Sequence, residues 1–310
     1  MAEYITIDGG TTNTRLRLVV NHRIVDTVKA AVGARAGIQD RLLLRQTIRD
    51  GIRELLSRNQ KEEEDITRIL ASGMITSEFG LVNLPHIQAP AGLKELHETL
   101  QEVVLEDITS IPFVFVRGVK TQCSNLDEAD MMRGEETEVM GIWEGKESTI
   151  ILPGSHSKIL QVDSMGRIVA FQTMLTGEMI AALSEGTILK DAVALGEYEC
   201  NKEYLLQGYH MCHERGINTA LFKVRVLKNL FGKNASEVYH FYMGVILCQE
   251  IDAVMKQHPK EIVIGGKGVI REAMAVLLKA LSEAEIRTIP DERAESASAL
   301  GIVKIYEYAG

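Results

Sequence analysis

Short runs that alternate apolar and polar positions open the chain, and the same pattern returns in its second half. Residues 4–8 (YITID) read as a strand, GGTTN as a turn, and residues 14–20 as a second strand with Leu16, Leu18 and Val20 on one face. Asn21-His22 turns the chain again, and residues 23–28 (RIVDTV) return. The second half repeats this with residues 149–152 (TIIL), the turn PGSHS, residues 158–163 (KILQVD), the turn SMG and residues 167–173 (RIVAFQT). Without a gap, Gly10 falls on Gly154, Thr11 on Ser155, Leu16 on Leu160, Leu18 on Val162, and Arg23-Ile24-Val25 on Arg167-Ile168-Val169. Turn chemistry and strand period agree together, which marks an internal repeat.

The elements after each meander also correspond. A helix is predicted over 38–58, where Leu44, Ile48, Ile52 and Leu55 hold a helical spacing. A strand at 66–71, a helix at 93–104 and a strand at 111–116 complete the first set. In the second half a helix begins near Gly177 and a helical stretch, 201–256, is inserted. A strand at 261–264, a helix at 269–282, a strand at 285–289 and a helix at 296–307 then close the set. Each half reads β-β-β-α-β-α-β-α. The expected fold is therefore a duplicated α/β one, with mixed sheets flanked by helices and a cleft between two domains. The boundary is placed at 1–143 and 144–310.

The chain has 310 residues, enough for two domains, and its 45% hydrophobic and 25% charged residues are those of an ordinary globular protein. Asp plus Glu number 43 against 34 for Lys plus Arg, a net charge of −9. That argues against a nucleic-acid or anionic-membrane binder, although a local phosphate site hardly registers in net charge. No apolar run is long enough to span a membrane, and MAEYITIDGG lacks the features of a signal peptide. With no CxxC pair among Cys123, Cys200, Cys212 and Cys248, free thiols in a cytoplasmic protein are expected. Cys200, His210, Cys212 and His213 crowd together without zinc-finger spacing and read as solvated or core side chains.

The candidate chemistry lies in the two matching turns. In Asp8-Gly9-Gly10-Thr11-Thr12-Asn13-Thr14-Arg15, glycine permits close backbone approach to a ligand, and successive N–H groups can form an anion nest. Thr11, Thr12 and Asn13 add donors, Arg15 adds a charge, and Asp8 at the strand end can hold Mg²⁺ through water. Gly154-Ser155-His156-Ser157-Lys158 repeats the logic with His156 and Lys158 as cations. Each turn alone is explained by hairpin geometry, and the pair favours phosphate. No G-x-x-x-x-G-K-[ST] occurs, and Gly266-Lys267-Gly268 fails the dinucleotide fingerprint because Arg271 stands where its last glycine would be. Gly265, Gly266 and Gly268 come after a buried strand; they fit a bare platform for adenine and a plain strand-to-helix turn equally well.

With these features the chain resembles the sugar-kinase, actin and ATPase-chaperone superfamily, and within it the 2-dehydro-3-deoxygalactonokinases. The resembling stretches are Ile7-Asp8 through Arg15, Gly73-Met74-Ile75-Thr76-Ser77, Met132-Arg133-Gly134-Glu135-Glu136-Thr137, Leu152-Pro153-Gly154-Ser155-His156-Ser157-Lys158, Thr176-Gly177-Glu178 and Glu214-Arg215-Gly216. They spread over most of the chain. Gly9 departs from the aromatic residue usual after the aspartate in that family, which leaves the hairpin tip barer.

The resemblance implies duplicated ribonuclease-H-like (actin-like ATPase) domains, the first binding sugar and the second nucleotide, with helix 296–307 near a hinge that lets the domains close. It implies ATP with Mg²⁺ and in-line transfer to the terminal (6-) hydroxyl of 2-dehydro-3-deoxygalactonate in the cleft. Superfamily kinases usually carry a carboxylate base at the start of the helix linking the domains, here Gly134 to Trp143, so Glu135 and Glu136 are the candidates and Asp130 the reserve. Both glutamates also suit a helix N-terminus for structural reasons. Arg133 is the candidate partner of the substrate carboxylate, with a buried ion pair as the alternative. Ser72, Gly73 and Met74, at a strand's C-terminal edge, are candidate sugar contacts. Thr176 fits either a helix cap or a nucleotide contact. Another sugar or sugar-acid kinase of the superfamily and a non-catalytic ATP-sensing regulator are the competing readings. The Phe241-Tyr242-Met243 region suits a homodimer contact or burial against its own domain equally well.

Overall fold

The computed structural model describes residues 2–36 and 40–309. Packing divides the chain into two compact units. The first comprises Met1–Glu147, Val162–Phe171 and Glu292–Gly310; the second comprises Ser148–Gln161 and Gln172–Asp291. The boundary read from sequence at 143/144 leaves 162–171 and the final helix with the second half, whereas their packing groups them with the first.

In the first unit the meander forms as β1 (Glu3–Gly9), β2 (Thr14–Val20) and β3 (Arg23–Ala30). Helix α1 (Arg41–Arg58) comes next, with the Asp40 carboxylate accepting from the Leu42 and Leu43 N–H groups. The expected start of this helix at 38 lies outside the described residues. Beyond it lie β4 (Arg68–Gly73), β5 (Ile87–Gln88), α2 (Leu93–Glu98), β6 (Gln101–Val103), β7 (Phe113–Phe115), β8 (Val119–Lys120), β9 (Met131–Met132) and α3 (Glu135–Ile142). The six-stranded sheet runs β3-β2-β1-β4-β7-β6, with β1-β4 and β4-β7 parallel. The helix expected over 93–104 ends early. The Thr99 hydroxyl donates back to the Glu95 and Leu96 carbonyls, and the chain then pairs antiparallel with β7 as an edge strand. The small sheet β5-β8-β9 was not expected, because two-residue strands carry no readable period.

The second half of the chain opens with β10 (Ser148–Leu152), β11 (Ser157–Val162), β12 (Ile168–Met174) and α4 (Thr176–Gly186); Val162 of β11 and Ile168–Phe171 of β12 pack with the first unit and the rest with the second unit. The insertion is three helices: α5 (Lys202–Arg215), α6 (Ile217–Asn229) and α7 (Ala235–Met255). Strand β13 (Glu261–Ile264), α8 (Val269–Leu281) and β14 (Glu285–Thr288) complete a sheet ordered β12-β11-β10-β13-β14. Phe241, Tyr242 and Met243 are buried within the core of this unit, so that region is not a free dimer surface and serves the parent fold.

The last helix, α9 (Asp291–Tyr306), starts earlier than expected and packs on α3 within the first unit. The crossing is set by small residues. A Cβ at Gly141 would lie 2.1 Å from the Ala297 carbonyl oxygen, and one at Gly301 would lie 1.8 Å from that of Thr137.

Candidate active site

Three elements of the first unit meet at the C-terminal edge of its sheet. Asp8 is in register with Arg15 across the hairpin and with Ser72 on β4; Gly9 is in register with Gly73. Gly73 turns the chain out of β4 with φ +88°, and a Cβ there would sit 2.5 Å from the Gly9 carbonyl oxygen. A residue with a side chain is excluded by both backbone and space. A Cβ at Gly134, which precedes α3, would stand 3.3 Å from the Gly73 Cα, so the start of α3 lies directly on this edge. Thr137 joins the layers. Its hydroxyl donates to the Gly134 carbonyl at 2.7 Å and lies 3.5 Å from Ser72 Oγ and 3.3 Å from Ser298 Oγ. Asp8, Ser72, Gly73 and the first turn of α3 are thus brought together at one sheet edge.

The hairpin tip exposes Thr11, Thr12 and Asn13. The Gly10 N–H is committed to the Asn13 carbonyl at 2.8 Å, and the Gly10 and Thr11 carbonyls accept from the Ala34 and Arg35 N–H groups. Asp8 Oδ2 and Arg15 Nη1 are 3.5 Å apart. The site is not barer for having Gly9. Ile75 fills the space, and its Cγ2 would be 2.2 Å from a Cβ at Gly9.

The two glutamates differ in kind. Glu136 is fully buried, and both its carboxylate oxygens accept from the Gly134 N–H, at 2.9 and 2.8 Å. Burial, with Glu135 adding repulsion, pushes its pKa up to about 8. Glu135 is half-buried in the same first turn. Asp130 lies farther back, its backbone paired with Thr121. Met74, half-buried, begins the turn after Gly73.

Arg133 sits beside this edge in a pocket of polar groups. Nη1 donates to Thr76 Oγ1 at 2.9 Å, Nη2 donates to the Leu84 carbonyl at 2.7 Å, and His86 Nδ1 is 3.5 Å away. Burial draws the guanidinium pKa down. Burial, with Arg133 and Lys120 nearby, lowers His86 to about 4, so the imidazole is neutral. Sequence reasoning missed His86 and Thr76 as partners of Arg133, since nothing in their spacing reports a contact made through a long loop.

In the second unit the other hairpin is locked to α4. The Gly154 and Ser155 carbonyls accept from the Gly177 N–H, and Ser155 also accepts from Glu178. A Cβ at Gly177 would be 2.7 Å from the Gly154 oxygen. The Gly154 N–H donates to Ser157 Oγ. Ser155 and His156 are exposed, and His156 Nε2 is 3.0 Å from Glu178 Oε1. Ser157 and Lys158 are buried in β11 instead of standing at the tip; as neighbours they face opposite sides of the strand, and both sides are covered. Thr176 caps nothing; its hydroxyl donates to Glu250 Oε2 at 2.5 Å. Glu250, on α7, is raised to about 7 by burial, while the Thr176 and Ser157 hydroxyls favour its charged form.

Beside this hairpin is the glycine turn. β10 and β13 are parallel neighbours, the Gly265 N–H donates to the Ile151 carbonyl, and a Cβ at Gly266 would be 3.2 Å from the Pro153 oxygen. Gly266 and Gly268 have φ of +63° and +86°, and Arg271 ties the turn down through the Gly266 and Ile289 carbonyls. The second hairpin and Gly265–Gly268 therefore share one sheet edge.

Comparisons with known proteins bear on the family and the fold. A curated 2-dehydro-3-deoxygalactonokinase of Escherichia coli (strain K12) is 28% identical over 276 residues, spanning 85% of this chain and 86% of its own. A crystal structure from Sinorhizobium meliloti, whose description attaches the 2-dehydro-3-deoxygalactonokinase name provisionally, superposes with TM-score 0.78 at 20% identity and 97% coverage of both chains. The activator of 2-hydroxyisocaproyl-CoA dehydratase from Clostridium difficile, solved with bound ADPNP, matches at TM-score 0.50 and 12% identity, over 98% of this chain and 95% of that one, and shares the fold alone. The fold is thus that of the actin-like ATPases and sugar kinases. A family model described as 2-keto-3-deoxy-galactonokinase matches residues 8–305, and the chain belongs to that kinase family.

Proposed function

We propose that the protein transfers the γ-phosphoryl group of ATP to the 6-hydroxyl of 2-dehydro-3-deoxygalactonate, with Glu135 as general base. The observation that carries this reading is the meeting of Asp8, Ser72-Gly73 and the first turn of α3 at one sheet edge. Phosphoryl transfer asks mainly for positioning, charge neutralisation and a carboxylate that accepts the attacking hydroxyl's proton. Glu136 is committed to the Gly134 N–H and holds its own proton up to about pH 8, which suits it to holding the helix start. Glu135, half-buried beside it, is left as the group that takes the proton.

The first unit binds the sugar acid. The Ser72–Met74 backbone holds the sugar, and Arg133 receives the carboxylate with its neighbour His86 neutral. The second unit binds ATP, with Ser155 and His156 at the phosphates and Gly265–Gly268 beneath the adenine. A hard cation fits Asp8, an oxygen donor that is partly open at the end of β1 and close to Arg15. Bound with the nucleotide, Mg²⁺ would neutralise the charge that develops on the phosphates.

The test is ADP release with Mg-ATP and a panel of 2-keto-3-deoxy acids and neutral hexoses. Turnover on 2-dehydro-3-deoxygalactonate with little on hexoses is expected, with the phosphate placed on the 6-oxygen by NMR of the product. Glu135→Gln should lower kcat about 10²–10⁴-fold. A loss of less than about tenfold would remove Glu135 as the base, and turnover confined to hexoses would remove the role of Arg133.

A further inference from the structure

Within the second unit, α5 and α7 bring together three residues that play no part in the proposed transfer. His213 Nδ1 is 3.0 Å from Asp252 Oδ2, and Cys248 Sγ is 3.9 Å from the same oxygen. One donor atom from each of His213, Cys248 and Asp252 lies within 4.8 Å of the other two. A tetrahedral ion with bonds of about 2.0–2.3 Å has donor–donor edges of about 3.3–3.8 Å, so these groups need only small side-chain adjustments to close on one.

The surroundings organise the three donors. Cys248 and Asp252 are four apart on α7 and share a face. The Tyr209 hydroxyl donates to Asp252 Oδ1 at 2.6 Å, which leaves Oδ2 turned toward His213 and Cys248. The Tyr209 ring stacks on the His213 imidazole at 5.7 Å and 19°. Hydrogen-bonded second ligand oxygens and fixed imidazoles are what metal sites use to orient their donors. His213 also lies in the last turn of α5, where the helix dipole favours a cation. Sulfur, imidazole and carboxylate together suit a thiophilic divalent ion better than Mg²⁺ or Ca²⁺. With Cys248 as thiolate, Asp252 as carboxylate and His213 neutral, a divalent ion leaves the site uncharged, and the Cys248 proton passes to solvent.

We propose that His213, Cys248 and Asp252 bind a divalent transition ion of the zinc type, which fastens α5 to α7. The test is titration of untagged, chelator-treated protein with Co²⁺ alone. Expected are a thiolate-to-cobalt charge-transfer band, visible bands of tetrahedral intensity, saturation at one equivalent, and bleaching of the bands by Zn²⁺. Cys248→Ser should abolish the charge-transfer band. Tyr209→Phe should keep the band but weaken Co²⁺ binding about 10–100-fold. Should Cys248→Ser fail to fold, His213→Gln, which changes an exposed side chain, serves in its place and should weaken Co²⁺ binding by a similar factor or more. Absence of the band at excess Co²⁺, or a band of undiminished affinity in His213→Gln, overturns the proposal.

Discussion

The contact between Gly9 and Ile75 allows a quantitative test of how the substrate-side edge is built. A methyl group added at Gly9 would lie 2.2 Å from Ile75 Cγ2, against the roughly 3.5–4.0 Å at which carbon atoms attract. Ile75 is fully buried and cannot retreat, because Gly80 lies against its backbone so closely that a Cβ there would be 2.1 Å from the Ile75 oxygen. Gly9→Ala is therefore an overpacking change, expected to cost about 1–3 kcal/mol. Ile75→Ala leaves a cavity and is expected to cost about 2–5 kcal/mol. In the double variant Cγ2 is gone, but the Cβ of residue 75 remains 3.0 Å from the new methyl, so relief is partial. The pair should cost about 1–2 kcal/mol less than the sum of the single variants, within the range for contacting residues. Urea unfolding of the four proteins measures this. Additivity within about 0.5 kcal/mol would refute the claim that Ile75 occupies the place of a side chain at position 9.

The geometry leads to three more expected outcomes. Because the pKa of Glu136 is raised from 4.5 to about 8, its contribution to stability is full below pH 4.5 and is lost as pH rises through 8; Glu136→Gln should flatten that slope in pH-dependent unfolding, and parallel profiles would contradict it. Arg133→Met should raise KM for the sugar acid at least about tenfold while changing kcat less, and should also destabilise by about 1–3 kcal/mol as Thr76 and Leu84 lose a donor, so steady-state kinetics and unfolding are read together. Gly301→Ala gains about 1 kcal/mol of helix propensity but forces α9 off α3, so the melting temperature should fall by several degrees and kcat with it; an unchanged melting temperature would show that the crossing yields freely.

The doubled meander was legible because its strands alternate and its turns use small residues, and both sets of three strands form, as β1–β3 and β10–β12. Strands 261–264 and 285–289, and the helix beginning at 269, were equally plain. The edge that gathers Asp8, Ser72 and Glu135 was legible only as separate motifs, and the parallel pairing of β1 with β4 joins them. Burial was the part that sequence concealed. Nothing in Gly-Ser-His-Ser-Lys says that its last two residues already belong to a strand, or that adjacent glutamates point one into the protein and the other partly out. His86 and Glu250 escaped notice because each matters through a partner dozens of residues away.

The composition of the first unit from three separate stretches of chain bears on how the protein is made. Tyr4 on β1 donates to Glu307, Gly141 on α3 is covered by Ala297, and Arg293 holds the Ile142 carbonyl, so β1 and the helix bearing the proposed base are both completed by residues synthesised long after them. At about 5–20 residues per second, the roughly 140 residues between Glu147 and Glu292 keep that surface waiting on the order of ten seconds. During that interval the nascent chain presents an unfinished apolar groove along α3, while the second unit, built from residues that emerge together, can fold behind it. Chaperone occupancy on stalled ribosomes should therefore persist until α9 has emerged, and a chain shortened before Glu292 should remain a chaperone client.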